Sequence, residues 1–150
     1  MEERQNKDTP SLNIGFTKER EPGYKYSTLA DRAKFAHDIL EFYSKVHKDS
    51  VEVPNWNKLT EEERKMEIDL AEEVYHNHRT DVSDAPTVHR LWAFKYVSHG
   101  WTYGKKYDAK KKTHPNLVDY IDLVLEERKK VKIYIRALVL ANEIFDNDWM

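Results

Sequence analysis

One stretch near the middle of the chain combines aromatic side chains and glycines in a spacing that suits ligand binding. Trp92 and Trp101 lie nine positions apart, and Gly100 and Gly104 flank the segment that carries Trp101 and Tyr103. Aromatic faces can stack on a nucleic acid base, which is worth about 1–3 kcal/mol per base. The spacing predicts an aromatic platform that stands beside a polar loop, with Trp92 on a helix and the other two rings on a turn.

Four polar side chains accompany the aromatic residues. Lys95 and Lys105 could bind a phosphate or sulfate group, and Asp108 and His114 could select hydroxyl or amino groups. The alternative interpretation is that both tryptophans pack in the core and that the lysines belong to a solvated loop. On residue types alone, packing is the stronger interpretation, because tryptophan is highly buried on average.

Signatures of catalysis and of metal binding are missing from the sequence. It contains no cysteine, no glycine-rich phosphate loop and no HExxH pattern. Asp108 and His114 could pair as base and orienter, but nothing identifies a nucleophile. His76 and His78 would not face each other on a helix, because residues two apart point in different directions. The sequence therefore predicts a protein that is not an enzyme and that needs no metal or cofactor.

Composition narrows the class of protein. The 150 residues suit one domain, and 25 basic against 27 acidic residues leave a net charge of −2. The charge balance predicts no extended nucleic acid as a partner, because sequence-independent phosphate binding requires a basic excess. No apolar run approaches the roughly 20 residues of a membrane span, and the N-terminus has no apolar signal region. These features predict no membrane partner and a cytoplasmic location.

Hydrophobic periodicity predicts a mainly α fold, a small single-domain bundle of about four helices. The helices are expected over about 28–46, 60–77, 85–98 and 123–145. A long ordered loop, with short extended pieces around 101–106, follows the third helix. Residues 1–26 are expected to form a partly ordered tail, and residues 27–150 the domain.

Several residues indicate where these helices begin and end. Capping boxes are predicted at Thr28 with Asp31 and at Thr60 with Glu63. Ser83 or Asp84 is expected to cap the third helix, and Gly100 to end it in a left-handed conformation. Trp56 is expected to anchor the connection between the first two helices, and His37 and His47 to be surface or core-edge imidazoles.

The central stretch resembles the ryanodine-receptor repeat (RyR) domain, whose pattern is WA, GWxYG, D and K-x-HP-x-LVPY. The matching residues are Trp92-Ala93, Gly100–Gly104, Asp108, Lys112, His114-Pro115, Leu117-Val118 and Tyr120. The resemblance extends over about residues 30–140 and is closest to stand-alone prokaryotic and phage members. Asp119 departs from the pattern, because the family usually has proline there. His89 lies one turn before Trp92 and is a further candidate for the site.

The resemblance implies a small helical module with a ligand pocket between the helix of Trp92 and the following loop. In channel members, tryptophans of paired repeats stack an adenine nucleotide, and prokaryotic members are associated with nucleotide signals and phage defence. Carried over, it implies stacking by Trp92, Trp101 and Tyr103, with Lys95, Lys105 and Asp108 as polar candidates. His114, with Pro115, is expected to fix the return of the loop to the core.

Two functions follow as expectations. The first is a non-enzymatic module that senses or sequesters a nucleotide or nucleotide-derived signal. The second is a protein-interaction or assembly module whose aromatic pocket grips a partner chain or a second copy of this chain, as in a homodimer.

Overall fold

Four α-helices make up most of the chain over residues 28–146, which the computed structural model describes. They are α1 (Leu29–Val46), α2 (Glu61–His76), α3 (Ala85–Ser98) and α4 (Leu125–Asp146). The prediction of a small, mainly α, single-domain bundle is confirmed. The predicted tail over residues 1–26 lies outside the described residues. Across residues 28–146, every helix is too short or too polar to cross a membrane.

Both predicted capping boxes are present. The Thr28 hydroxyl accepts from the amide of Asp31 at 3.1 Å, and the Thr60 hydroxyl accepts from the amide of Glu63 at 3.0 Å. The prediction for α3 is wrong in part. Asp84 occupies the N-cap position of α3 but makes no side-chain capping bond, because its carboxylate accepts from the amide of Asp81 at 3.2 Å instead.

The main core lies between α1 and α4, which make the most extensive helix–helix contact among residues 28–146. Phe35 on α1 meets Phe145 on α4 edge-on, with ring centroids 6.0 Å apart. The start of α1 therefore lies beside the end of α4, so the two helices run antiparallel. α2 and α3 complete the bundle, and Trp56 is buried in this core as predicted.

The chain after α3 forms a long loop with a small parallel sheet. β1 (Thr102–Tyr103) pairs with β2 (Thr113–His114), and a short 3-10 helix (Tyr120–Asp122) leads into α4. The predicted extended piece around residues 101–106 is confirmed, whereas its partner strand was not predicted. This loop carries one wall of the candidate site.

Candidate functional site

The turn after α3 is built around Gly100. Its φ of 91° lies in the left-handed region, which glycine adopts at no steric cost. The amide of Gly100 donates to the carbonyl of Val97, and the amide of Trp101 donates to the carbonyl of Tyr96, each at 3.0 Å. This pair of bonds is a Schellman ending with its usual apolar contact, since the rings of Trp101 and Tyr96 meet edge-on. The turn directs Trp101 back into the domain.

Trp101 is a core residue in this structure. Its side chain is only 2% exposed, and one face lies against Tyr107, with ring centroids 5.8 Å apart and ring planes 24° from parallel. Together with Met66 and Tyr96 it forms a second buried cluster. The prediction that Trp101 offers an open aromatic face is therefore corrected. Trp101 is buried and packs against Tyr96 and Tyr107.

Gly104 allows the two short strands to approach each other. A Cβ atom at this position would lie 2.6 Å from the Cβ atom of Thr113, well inside van der Waals contact. The amide of Thr102 donates to the carbonyl of Lys112 at 2.9 Å, and that of Gly104 donates to the carbonyl of His114 at 3.3 Å. In the GWTYG segment, the two glycines are therefore needed for the backbone conformation and the close strand contact, and the tryptophan is needed for packing.

Asp108 closes the loop between the strands. Its backbone exchanges two hydrogen bonds with Thr113, at 3.0 and 3.1 Å. Its carboxylate accepts from the amides of Lys110 at 2.9 Å and Lys111 at 3.1 Å. This predicted ligand contact therefore holds a turn in the described structure.

Three other predicted contacts lie on the surface. Tyr103 is 57% exposed, Lys105 is exposed, and Lys95 pairs with Glu73 at 3.0 Å. None of the three lines the cavity described next. Their part in ligand binding stays a prediction.

A cavity of about 130 Å³, with a mainly apolar lining and several polar side chains, lies inside the bundle. Trp92 and His114 are the predicted site residues that line it, and His89, the further candidate, lines it too. Other polar and aromatic lining comes from α1, α2, α3 and α4: His37, Glu63, Glu67, Tyr96, Lys130 and Tyr134. The wall also includes the exposed Glu52, so the cavity reaches the surface along the segment 51–54.

Two carboxylates of α2 form one wall. Glu63 and Glu67 lie four residues apart and so project from the same helical face. Glu63 is 1% exposed. Its Oε1 accepts from the amide of Thr60 at 3.1 Å, and its Oε2 accepts from the hydroxyl of Tyr107 at 2.8 Å. Glu63, which completes the capping box of α2, therefore also joins the long loop to the cavity wall.

His37 neutralises the second carboxylate. Its Nδ1 lies 3.2 Å from Glu67 Oε1, and its Nε2 lies 2.6 Å from the carbonyl of Pro54. Burial opposes the charged ring, but the charge and hydrogen bond of Glu67, with the Pro54 carbonyl, outweigh it and raise the pKa of His37 to about 9. His37 is therefore an imidazolium at neutral pH, with both nitrogens donating.

A buried ion pair on α4 forms the opposite wall. Lys130 Nζ lies 2.9 Å from Glu127 Oε1 and donates to the carbonyl of Val51 at 2.7 Å. Glu127 Oε2 accepts from the amide of Val51 at 2.8 Å, and Glu127 Oε1 accepts from Asn116 Nδ2 at 2.7 Å. This network joins α4 to both loops that border the cavity.

His114 faces the cavity as a neutral ring. Burial lowers the pKa of His114 to about 3, with smaller contributions from the charges of Lys130 and His89. Its Nδ1 accepts from the amide of Asn116 at 3.0 Å, so the hydrogen of the neutral ring is on Nε2. The bond to Asn116 agrees with the expected role of His114 in returning the loop to the core.

The hydroxyl of Tyr134 is buried and has no hydrogen-bond partner within residues 28–146. Tyr134 lines the cavity, and its side chain is 7% exposed. A buried polar group without a partner costs about 1–3 kcal/mol, so native proteins rarely leave one. Among residues 28–146, this hydroxyl is the buried side-chain polar group of the cavity wall that lacks a hydrogen-bond partner.

Asp119, at the position where the resemblance leads us to expect proline, has a proline-like backbone conformation. Asp119 has φ −64° and ψ 150°, and proline fixes φ near −65°. The carbonyl of the preceding Val118 accepts from His89 Nε2 at 2.8 Å. The segment contacts the cavity wall with aspartate at this position.

Sequence patterns did not single out Glu67, Lys130 or Tyr134 as site residues. A signal was available on α2, where Glu63 and Glu67 share a helical face with the buried Met66 and neighbouring apolar positions. Acidic residues on a buried stripe are unusual and mark an internal polar site.

No group of three or more potential metal ligands is found among residues 28–146.

A comparison with protein-family models matches residues 78–142 to the RyR domain. The matched segment includes α3, the GWTYG turn, the long loop and the part of α4 that carries Lys130 and Tyr134. It therefore covers the loop wall and the α4 wall of the cavity, while α1 and α2 lie outside it. The resemblance on the residues from Trp92 to Tyr120 is confirmed, and this segment of the chain belongs to the RyR domain family.

Proposed function

We propose that the chain is a non-enzymatic module that senses or sequesters a nucleotide or nucleotide-derived signal, with the base held in the central cavity. The observation that carries this proposal is the Tyr134 hydroxyl, which has no hydrogen-bond partner among residues 28–146 and lies in a wall with carboxylates, imidazoles and aromatic rings. Small-molecule sites combine concave apolar walls with a few placed polar groups, and this cavity has that composition.

The cavity volume sets the size of the group that can enter. An apolar cavity of about 150 Å³ holds one benzene molecule, and this cavity measures about 130 Å³. A whole nucleotide is too large, whereas the six-membered ring of a base matches the space. The sugar and phosphate would lie towards the opening along the segment 51–54.

The aromatic lining suits a flat ring. Trp92 stacks on His89 with centroids 5.4 Å apart, and the His114 ring stands edge-on to Trp92 with centroids 4.9 Å apart. These rings hold one another in fixed orientations, so little conformational entropy is lost on binding. Preorganisation of this kind raises affinity without any added contact.

The hydrogen bonding of the wall favours binding over catalysis. His37 has both nitrogens on acceptors, and Glu127 bonds to Val51, Asn116 and Lys130. Groups held in this way define a shape and a charge pattern, whereas a general acid or base must exchange its proton with the substrate.

The stand-alone prokaryotic or phage type and a cytoplasmic location are part of this proposal and rest on the sequence pattern.

An interaction or assembly module is the second candidate. Phe94 on α3 is 71% exposed, Phe42 on α1 is 68% exposed, and Ile121 in the 3-10 turn is 78% exposed. Exposed apolar groups mark interaction surfaces when they are contiguous. A dimer that forms with rising protein concentration, together with no ligand response, would favour this candidate.

The test is calorimetric titration of the wild type, Tyr134→Phe and Tyr103→Ala with mono-, di- and cyclic nucleotides. Tyr134→Phe should fold at least as stably as the wild type and bind about two- to tenfold more weakly, because it loses one hydrogen bond to the ligand. Tyr103→Ala should bind like the wild type, because Tyr103 lies outside the cavity. Loss of binding in Tyr103→Ala but not in Tyr134→Phe would move the site to the loop, and no response at millimolar nucleotide would refute the proposal.

A further inference from the structure

The charges that line the cavity do not balance. Lys130 is paired with Glu127 at 2.9 Å, and His37 is paired with Glu67 at 3.2 Å. From the described part of the chain, Glu63 accepts only from the neutral groups of Thr60 and Tyr107. Within residues 28–146 no cation is placed on Glu63, although its side chain is 1% exposed.

A buried carboxylate without a cation is costly unless hydrogen-bond donors surround it. Carboxylates only accept hydrogen bonds, so a ligand that lies against Glu63 and Glu67 must donate. A ligand that presents a lone pair to this wall would be repelled. The α2 wall therefore selects for hydrogen-bond donors, of the N–H or O–H kind.

The rest of the cavity can serve the remaining edge of such a ligand. His114 Nε2 carries a hydrogen in the neutral ring, since Nδ1 accepts from Asn116. The Tyr134 hydroxyl can donate or accept. A head group with adjacent N–H donors beside one acceptor would satisfy groups of both kinds.

We propose that the cavity takes a planar head group with adjacent N–H donors against the α2 carboxylates, and that the Watson–Crick edge of guanine supplies it in preference to adenine. The ring N–H and the exocyclic amine of guanine both donate, and its carbonyl accepts. Adenine places an acceptor nitrogen beside its amine, which would face a carboxylate. A guanidinium or amidine group carries the same pair of donors and is the other source of this chemistry. The inference rests on the proposed function and specifies which base is bound.

The experiment compares guanosine, inosine and adenosine 5′-monophosphates, with benzamidine as the non-nucleotide donor, by calorimetric titration. Inosine differs from guanosine only in lacking the exocyclic amine. We expect the guanosine nucleotide to bind about tenfold or more tightly than the other two, because a hydrogen bond to a charged group is worth about this factor.

Variants on α2 test the contribution of its carboxylates. Glu67→Gln keeps the size of the side chain but replaces one of the two carboxylates with an amide that can donate, so the preference for guanosine over adenosine should fall severalfold. Glu72→Gln is the matched control, because Glu72 is exposed on the same helix and should keep the full preference. If Glu67→Gln fails to fold, the comparison of guanosine with inosine on the wild type still decides the inference.

The outcomes separate this inference from the proposed function. Equal affinity for the three nucleotides, or tighter binding of adenosine, overturns the preference and leaves nucleotide binding in place. Binding of benzamidine without any nucleotide supports the donor chemistry of the head group and overturns the nucleotide proposal. Binding of none of the four ligands overturns both.

Discussion

Single residues in this domain carry charges where a hydrophobic core would normally exclude them. His37, Glu63, Glu127 and Lys130 are each less than a tenth exposed. Burial of such groups is tolerated when partners satisfy them, and in this domain those partners come from distant parts of the chain. Each of these residues therefore joins its own helix to a distant part of the chain. Its contribution to the stability of the fold can be measured by substitution.

The stability of the domain should depend on pH through His37. The pKa of His37 is raised from 6.5 to about 9 in the folded protein. The folded state therefore binds the proton more tightly, and the resulting stabilisation is complete below pH 6.5 and lost as pH rises to about 9. Urea unfolding across this range should show a falling free energy of unfolding in the wild type and a flatter profile in His37→Gln. His76→Gln, at an exposed histidine, should keep the wild-type slope, and an unchanged slope in His37→Gln would contradict the assignment.

A proline at position 119 should stabilise the domain. Asp119 already has φ −64°, so proline would reduce the freedom of the unfolded chain without changing the folded backbone. Such substitutions stabilise by about 0.4–1 kcal/mol. Chemical denaturation of Asp119→Pro measures the gain. Asp122→Pro, inside the same 3-10 turn, is the control and should destabilise, because the amide of Asp122 donates to the carbonyl of Asp119 at 2.9 Å.

At the scale of elements, local signals predicted the helices well. Thr28, Thr60 and Gly100 act within one turn of the chain, so sequence alone located both capping boxes and the end of α3. The cavity depends instead on contacts such as that between Glu63 and Tyr107, which are 44 positions apart. No local pattern encodes such a pairing, and this is why the sequence identified Trp92 and His114 but missed Glu67, Lys130 and Tyr134. The burial of Trp101 was likewise decided by packing against Tyr107.

Substitutions of Glu127 and Lys130 should have non-additive effects on the free energy of unfolding. Glu127→Leu leaves the buried ammonium of Lys130 without its carboxylate, which typically costs about 3–5 kcal/mol. The double variant Glu127→Leu/Lys130→Met removes the stranded charge and should recover at least ~1 kcal/mol of that loss by urea unfolding. As a control, Asp69→Ala breaks the exposed pair with Lys65 and should cost less than ~1 kcal/mol. Strict additivity of the Glu127 and Lys130 substitutions would show that the two side chains do not interact.

At the scale of the molecule, the RyR segment is only part of the folded unit. The match ends at residue 142 and begins at residue 78, whereas the main core also requires α1 and α2. Those two helices contribute Phe35, Ala36, Leu70 and Val74 to the core. They also contribute His37, Glu63 and Glu67 to the cavity. The folding unit and the cavity therefore both extend beyond the family segment.

The two fragments 28–146 and 78–142 should behave differently for this reason. The longer fragment contains every residue of the main core cluster, and we expect it to unfold cooperatively. The shorter one exposes the faces of α3 and α4 that α1 and α2 cover, and domains below about 70–80 residues rarely have stability to spare. We expect it to lack a cooperative transition by circular dichroism and to show poorly dispersed NMR signals. A cooperative transition in fragment 78–142 would show instead that α1 and α2 are additions to an independent domain, and the α2 carboxylates could then be removed from the site without loss of the fold.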